Sequence, residues 1–160
     1  MAEDLLTLAM VQTDMVWNQV PVNLERLSLL LDAIREPVDL VVLPETFATG
    51  FVTKPEPDVG DTTDIVIQWM KEKAQKLDAM VMGSHPCRSG SLLVNRLLCV
   101  KPDGEVLHYD KRHLFTMGGE ADHFAKGRDP LVVEFRGWRI FPLICYDLRF
   151  PVWSRNVFGY

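Results

Sequence analysis

The segment Val38-Asp39-Leu40-Val41-Val42-Leu43-Pro44-Glu45 reads as a short strand that delivers a carboxylate at its end. It is apolar almost throughout and rich in β-branched residues, the composition of a strand covered on both faces. Upstream, Val20, Leu24, Leu27, Leu31 and Ile34 recur at steps of three and four, which predicts an amphipathic helix. Asn18 is the expected cap of that helix, Pro21 fits its first turn, and Glu36-Pro37 is the expected stop. Residues 5–11 read as a first strand before it. Downstream, residues 46–61 hold two prolines and two glycines and read as a loop. A second helix is expected from Thr63, with Val66, Met70, Ala74 and Leu77 facing inward, and residues 79–83 read as strand again.

Two hairpins follow. Residues 91–100 and 105–109 flank the turn Pro102-Asp103-Gly104, and residues 131–135 and 138–144 flank Arg136-Gly137. His85-Pro86-Cys87 reads as a loop. The order β-α-β-α-β followed by hairpins predicts an α/β layered fold with a mixed sheet. With 160 residues the chain forms one domain and buries a core without staples. Residues 150–160 read as a helix that has barely begun, so the chain is expected to be part of a longer protein.

Composition narrows the function. A formal net charge of −5 argues against nucleic acid as a partner, because phosphate contacts need clustered Lys and Arg. Cys87, Cys99 and Cys145 leave at least one thiol unpaired, and no secretory apolar region precedes them, which predicts reducing cytoplasm. No apolar run approaches the roughly 20 residues of a membrane helix. His85, Cys87, Cys99, His108, His113 and His123 show no metal-ligand spacing, and Gly118-Gly119 and Gly127 make no phosphate loop. No metal and no cofactor is expected.

The informative coincidence is where reactive groups fall. One expected strand runs into Glu45, a second into Asp110-Lys111, and a third, residues 138–144, into Cys145. Ligands gather outside the carboxyl ends of strands in α/β sheets, so the three side chains can converge there. A thiol attacks only as thiolate and needs an activating partner, all the more beside Phe141-Pro142-Leu143-Ile144. Lys111 can stabilise the thiolate and a later oxyanion, and Glu45 can act as general base and then general acid. A helix beginning after Cys145 would aim its dipole and the Tyr146 N–H at the site. Each residue also fits a plain structural role: Cys145 as a small buried hydrophobe, Glu45 as a loop start, Lys111 as a solvated charge.

Three segments in this order are similar to the nitrilase superfamily of carbon–nitrogen hydrolases. Leu43-Pro44-Glu45-Thr46-Phe47 resembles the general-base segment, Tyr109-Asp110-Lys111-Arg112-His113-Leu114-Phe115 the lysine segment, and Cys145-Tyr146-Asp147-Leu148-Arg149-Phe150-Pro151 the nucleophile segment. The stretches from Glu45 to Phe51 and from Cys145 to Asn156 resemble the omega-amidase branch. The resemblance implies a four-layer α-β-β-α sandwich, here incomplete at the C-terminus, with residues 1–160 as the N-terminal portion of one carbon–nitrogen hydrolase domain. It implies catalytic roles for Glu45, Lys111, Cys145 and a second glutamate, Glu120, and places Tyr146 and Phe115 at the substrate. It also implies hydrolysis of the terminal amide of a 2-oxo acid such as 2-oxoglutaramate, with release of ammonia, in a homo-oligomer.

Several alternatives stand beside that reading. Simple nitriles, N-carbamoyl compounds and other linear amides are rival substrates, and a non-catalytic fragment is the rival class. An activated Cys145 is expected to react with iodoacetamide faster than Cys87 and Cys99. Arg149 is read as a structural ion-pair residue in preference to an anchor for a substrate carboxylate.

Overall fold

The computed structural model describes residues 5–51, 54–56 and 58–155. Strands β1 (Leu8–Met10), β2 (Leu40–Val42) and β3 (Met80–Ser89) run parallel, linked by α1 (Val20–Asp32) and α2 (Thr63–Leu77). Strands β4 (Leu92–Val100) and β5 (Val106–Asp110) extend the sheet antiparallel, and β6 (Phe124–Ala125) returns parallel to β4. A separate hairpin, β7 (Val133–Phe135) and β8 (Trp138–Ile140), is followed by a 3-10 turn (Cys145–Arg149) and by α3 (Pro151–Ser154).

The two faces of the six-stranded sheet bury different layers. Leu24, Leu27 and Leu31 of α1 and Val66, Met70 and Ala74 of α2 pack on Val41, Val81, Leu98 and Val100. Because strand side chains alternate, Leu40, Met80, Met82, Leu97 and Cys99 face the other way and meet Val133, Phe135 and Ile140 of the hairpin. The described residues therefore stack helices, sheet and second sheet, three layers of the expected α-β-β-α sandwich, with the reactive residues on the second face. No helix among them is long and apolar enough to cross a membrane.

Four local expectations need correction. Asn18 does not cap α1: it sits at φ 55°, and Gln19 takes the cap position. A capping side chain needs extended backbone, whereas Asn18 uses the left-handed region that asparagine tolerates. The helix stops at Asp32, where the Ala33 N–H already bonds back to Leu30 O, well before Pro37. His85-Pro86-Cys87 lies inside β3, opposite Arg96, Asn95 and Val94. Pro86 is tolerated because β2 pairs with β3 only over residues 80–82. Strand β8 ends at Ile140, short of the expected residue 144, and Pro142 has no N–H with which to continue a ladder.

Candidate active site

The sheet places Glu45 through a forced turn. Leu43 N–H donates to Met82 O at 2.8 Å, keeping the chain in register with β3 one residue past β2. Thr46 then takes φ 47°, rare for a β-branched residue, and its N–H donates to Ser84 Oγ at 2.8 Å. Phe47 enters the core against Trp69 where Gly83 leaves room; a Cβ on Gly83 would lie 2.7 Å from Phe47 Cδ1. These contacts turn the Glu45 carboxylate to the second face.

Lys111 is clamped from both sides at the end of β5. Its N–H donates to Asn95 O and its carbonyl accepts from Gly127 N–H, both at 2.9 Å. Nothing larger fits at Gly127, since a Cβ there would sit 1.9 Å from Asp110 O. The Lys111 side chain is fully buried, and Nζ donates to Glu45 Oε1 at 2.7 Å and to Glu120 Oε2 at 2.9 Å. Glu120 opens a 3-10 turn (Glu120–Asp122), and its Oε2 also accepts from Phe115 N–H at 2.6 Å. Burial pushes the ammonium down, but the two carboxylates outweigh it and hold Lys111 above its ordinary value. Lys111 is a fixed cation.

Cys145 sits on a different kind of support. It is exposed and occupies φ 43°, a conformation that costs an ordinary residue about 1–3 kcal/mol. Two residues on, the fully buried Asp147 holds the turn. Its Oδ2 accepts from Tyr109 Oη at 2.8 Å and Ile144 N–H at 3.1 Å, and its Oδ1 accepts from His113 N–H and Nδ1 at 2.8 Å each. The His113 ring stacks on Phe150 at 3.8 Å. The helix expected after Cys145 is only this five-residue 3-10 turn, so no long dipole points at the thiol; the Tyr146 N–H in its first turn still lacks an intrahelical acceptor.

Partial desolvation, then the charge of Glu45 and the hydrogen bond to it, raise the Cys145 thiol above its ordinary value against a weaker downward pull from Lys111. Two acidic side chains, Glu45 and Glu120, and one basic one, Lys111, thus stand close to the sulfur. Comparing Cys145 with the other cysteines loses its diagnostic force. Burial is the main cause that pushes Cys87 up to about 11 and Cys99 up to about 12, so both are expected to label slowly even if Cys145 is not activated.

Two cavities meet at Glu45 and Cys145. A cleft of about 640 Å³ opens between Tyr146 and Arg149 on one wall and Phe51, Phe115 and Met117 on the other. A smaller one of about 320 Å³ lies behind, between Leu40, Met82 and Leu97 of the sheet and residues 140–145. Tyr146 is wedged edge-on between Phe115 and Phe150, each at 5.3 Å. All six residues singled out from the sequence, Glu45, Lys111, Cys145, Glu120, Tyr146 and Phe115, are brought to this place. Sequence reasoning missed Asn95, whose Nδ2 reaches Glu45 Oε1 at 2.9 Å and Glu120 Oε1 at 3.0 Å, and it missed Asp147. Arg149 departs from its expected role: among the described residues no carboxylate pairs with it, and it lines the cleft.

The carbon–nitrogen hydrolase family model matches residues 7–157. The chain is 46% identical over 151 residues to an omega-amidase, YafV, of Yersinia enterocolitica, covering 94% of this chain and 58% of that protein. It is 28% identical over 153 residues to a 2-oxoglutaramate amidase of Bacillus subtilis, covering 94% and 59%. A Xanthomonas campestris crystal structure of a CN-hydrolase superfamily protein, with an arsenic adduct in its active site, superposes with a TM-score of 0.90 at 41% identity, covering 94% of this chain and 57% of that one. An amidase from a Nesterenkonia species shares the fold, with a TM-score of 0.80 at 22% identity over 92% of this chain and 58% of that one. The chain thus spans less than two thirds of the length of each of these relatives.

Proposed function

The chain belongs to the carbon–nitrogen hydrolase family, and on that premise we propose that residues 1–160 are the N-terminal portion of a thiol amidohydrolase domain cleaving the terminal amide of a small 2-oxo acid. One observation carries the proposal: a single carboxylate, Glu45, bonds the fixed ammonium of Lys111 at 2.7 Å and lines, together with Cys145, both cavities that meet there.

In this reading the amide enters the cleft that Tyr146, Phe115, Met117 and Arg149 line. Glu45 takes the thiol proton as the sulfur attacks the carbonyl carbon, so no standing thiolate is required. Lys111 and the Tyr146 N–H stabilise the oxyanion. The tetrahedral intermediate collapses, the C–N bond breaks, and Glu45 returns the proton to the departing ammonia. Water, deprotonated by Glu45, then attacks the thioester and releases the acid and the thiol. Glu120 keeps Lys111 in place through its ion pair at 2.9 Å. Arg149, a cation on the cleft wall that pairs with no carboxylate among the described residues, suits the carboxylate of an anionic amide.

Cys145→Ala should abolish ammonia release from 2-oxoglutaramate while leaving circular dichroism and thermal unfolding near wild type. Ammonia release at the wild-type rate would overturn the mechanism. Cytoplasmic residence is supported by the free, buried Cys87 and Cys99, and a homo-oligomer by the exposed apolar residues Met117, Leu148 and Val152. The exposed Met117 on the cleft rim also favours a second reading: that this portion of the chain holds the residues without enclosing a substrate.

A further inference from the structure

Asn95 occupies an odd chemical position. It lies on β4 with its side chain on the same face as Leu97 and Cys99, almost fully buried, one step along the β4–β5 pairing from Arg96 and Asp110. Its backbone carbonyl accepts the Lys111 N–H at 2.9 Å, and its Nδ2 donates to Glu45 Oε1 at 2.9 Å and Glu120 Oε1 at 3.0 Å. These are the two carboxylates that Lys111 Nζ also binds. Its Oδ1 is buried with no hydrogen-bond partner among the described residues.

The orientation of the carboxamide follows from this surrounding. Turning it over would set Oδ1 against two carboxylate oxygens, so the amine must face them although the oxygen is left without a donor. Two buried carboxylates share one ammonium, and a neutral group with two N–H bonds is what can supply the missing donors without adding a third charge.

We propose that Asn95 is a positioning residue for the base: by giving one N–H to each carboxylate it holds Glu45 and Glu120 apart and ionised, and leaves Glu45 directed at Cys145. The charged and titratable groups facing Glu45 are Lys111 beyond β5, Glu120 on its 3-10 turn, Cys145 on the next, and Arg149 across the cleft. Lys111 Nζ bonds the same Glu45 Oε1 at 2.7 Å, and Asn95 supplies a second, uncharged donor to that oxygen. The inference rests on Glu45 being the general base.

The test is the pH dependence of kcat/KM for 2-oxoglutaramate in the full chain. Asn95→Leu keeps the branching at Cγ, is somewhat larger, and removes both donors. It should move the acidic limb toward neutral pH by about one unit, a tenfold change in the proton concentration at which half the activity is lost, with KM on the plateau little changed. Asn95→Ser, smaller and retaining one donor, should move it less, and serves if the leucine variant fails to fold. An acidic limb unmoved in a folded variant would overturn the inference. Glu45→Gln separates the premise: a wild-type acidic limb persisting in its residual activity would sink the general-base assignment itself, whereas loss of that limb together with an unmoved limb in the Asn95 variants would sink only the role of Asn95.

Discussion

The two halves of the candidate site are built on opposite plans. Glu45, Asn95, Lys111 and Glu120 hang from the central sheet, are buried or nearly so, and bond to one another. Cys145, Tyr146 and Arg149 lie on a short 3-10 turn at the cleft wall, with Cys145 in a left-handed conformation and Asp147 as the anchor. The acid–base half is tied together by bonds that its members share, and removing Lys111 leaves two carboxylates without their cation. The nucleophile half is accessible because little covers it. A base must keep its protonation state, whereas a nucleophile must reach substrate, and each half is built for its own requirement.

The largest test of that contrast is Lys111→Met, which leaves Glu45 and Glu120 facing each other without their cation. Urea denaturation should show a loss of about 3–5 kcal/mol, and turnover should vanish. A loss under 1 kcal/mol would mean that the sheet half is not held by charge. Because Lys111 is held above its ordinary value of 10.5, its stabilising contribution is complete below about pH 10.5 and disappears as pH rises through the higher folded value.

Asp147→Asn should come next. The amide cannot accept from Tyr109, Ile144 and His113 together, so the cost should be about 1–3 kcal/mol, with the loss of kcat exceeding that expected from unfolding alone. Unchanged kcat in the folded variant would show that the nucleophile turn holds itself. Arg149→Ala should raise KM for an anionic amide about tenfold while leaving a neutral amide of similar size unaffected; equal effects on both would reduce Arg149 to scaffold. The smallest effect probes the influence of one half on the other. Glu45→Gln removes the negative charge that lifts the thiol, so the midpoint of Cys145 alkylation by iodoacetamide against pH should fall even as turnover is lost. A midpoint that rises or stays would mean that Glu45 does not touch the sulfur's charge.

Much of the sheet half was legible because periodicity and turn chemistry report it directly. The stripe from Val20 to Leu31, the apolar β2 and the Pro-Asp-Gly hairpin follow from side-chain pattern, and Glu45 and Lys111 sit where strands stop. Asn95 escaped notice although a signal exists: in Leu-Leu-Val-Asn-Arg-Leu-Leu-Cys-Val, a period of two puts it on the buried face with Leu97 and Cys99, where an amide needs a charged partner. The turn half was harder. Nothing in a threonine or a cysteine announces φ 47° or 43°, because those angles are imposed by Ser84 and Asp147 from elsewhere in the chain. The strand expected up to Cys145 failed for a related reason, since apolar residues 141–144 pack without pairing.

The backbone at Cys145 sets stability and chemistry against each other within one residue. Glycine would relax φ 43° at no steric penalty, so a screen for thermal robustness alone would be expected to accept Cys145→Gly and to discard the reaction with it. Variants selected for heat resistance should therefore be assayed for thioester formation at the same step, because at this position the more comfortable chain is the inert one.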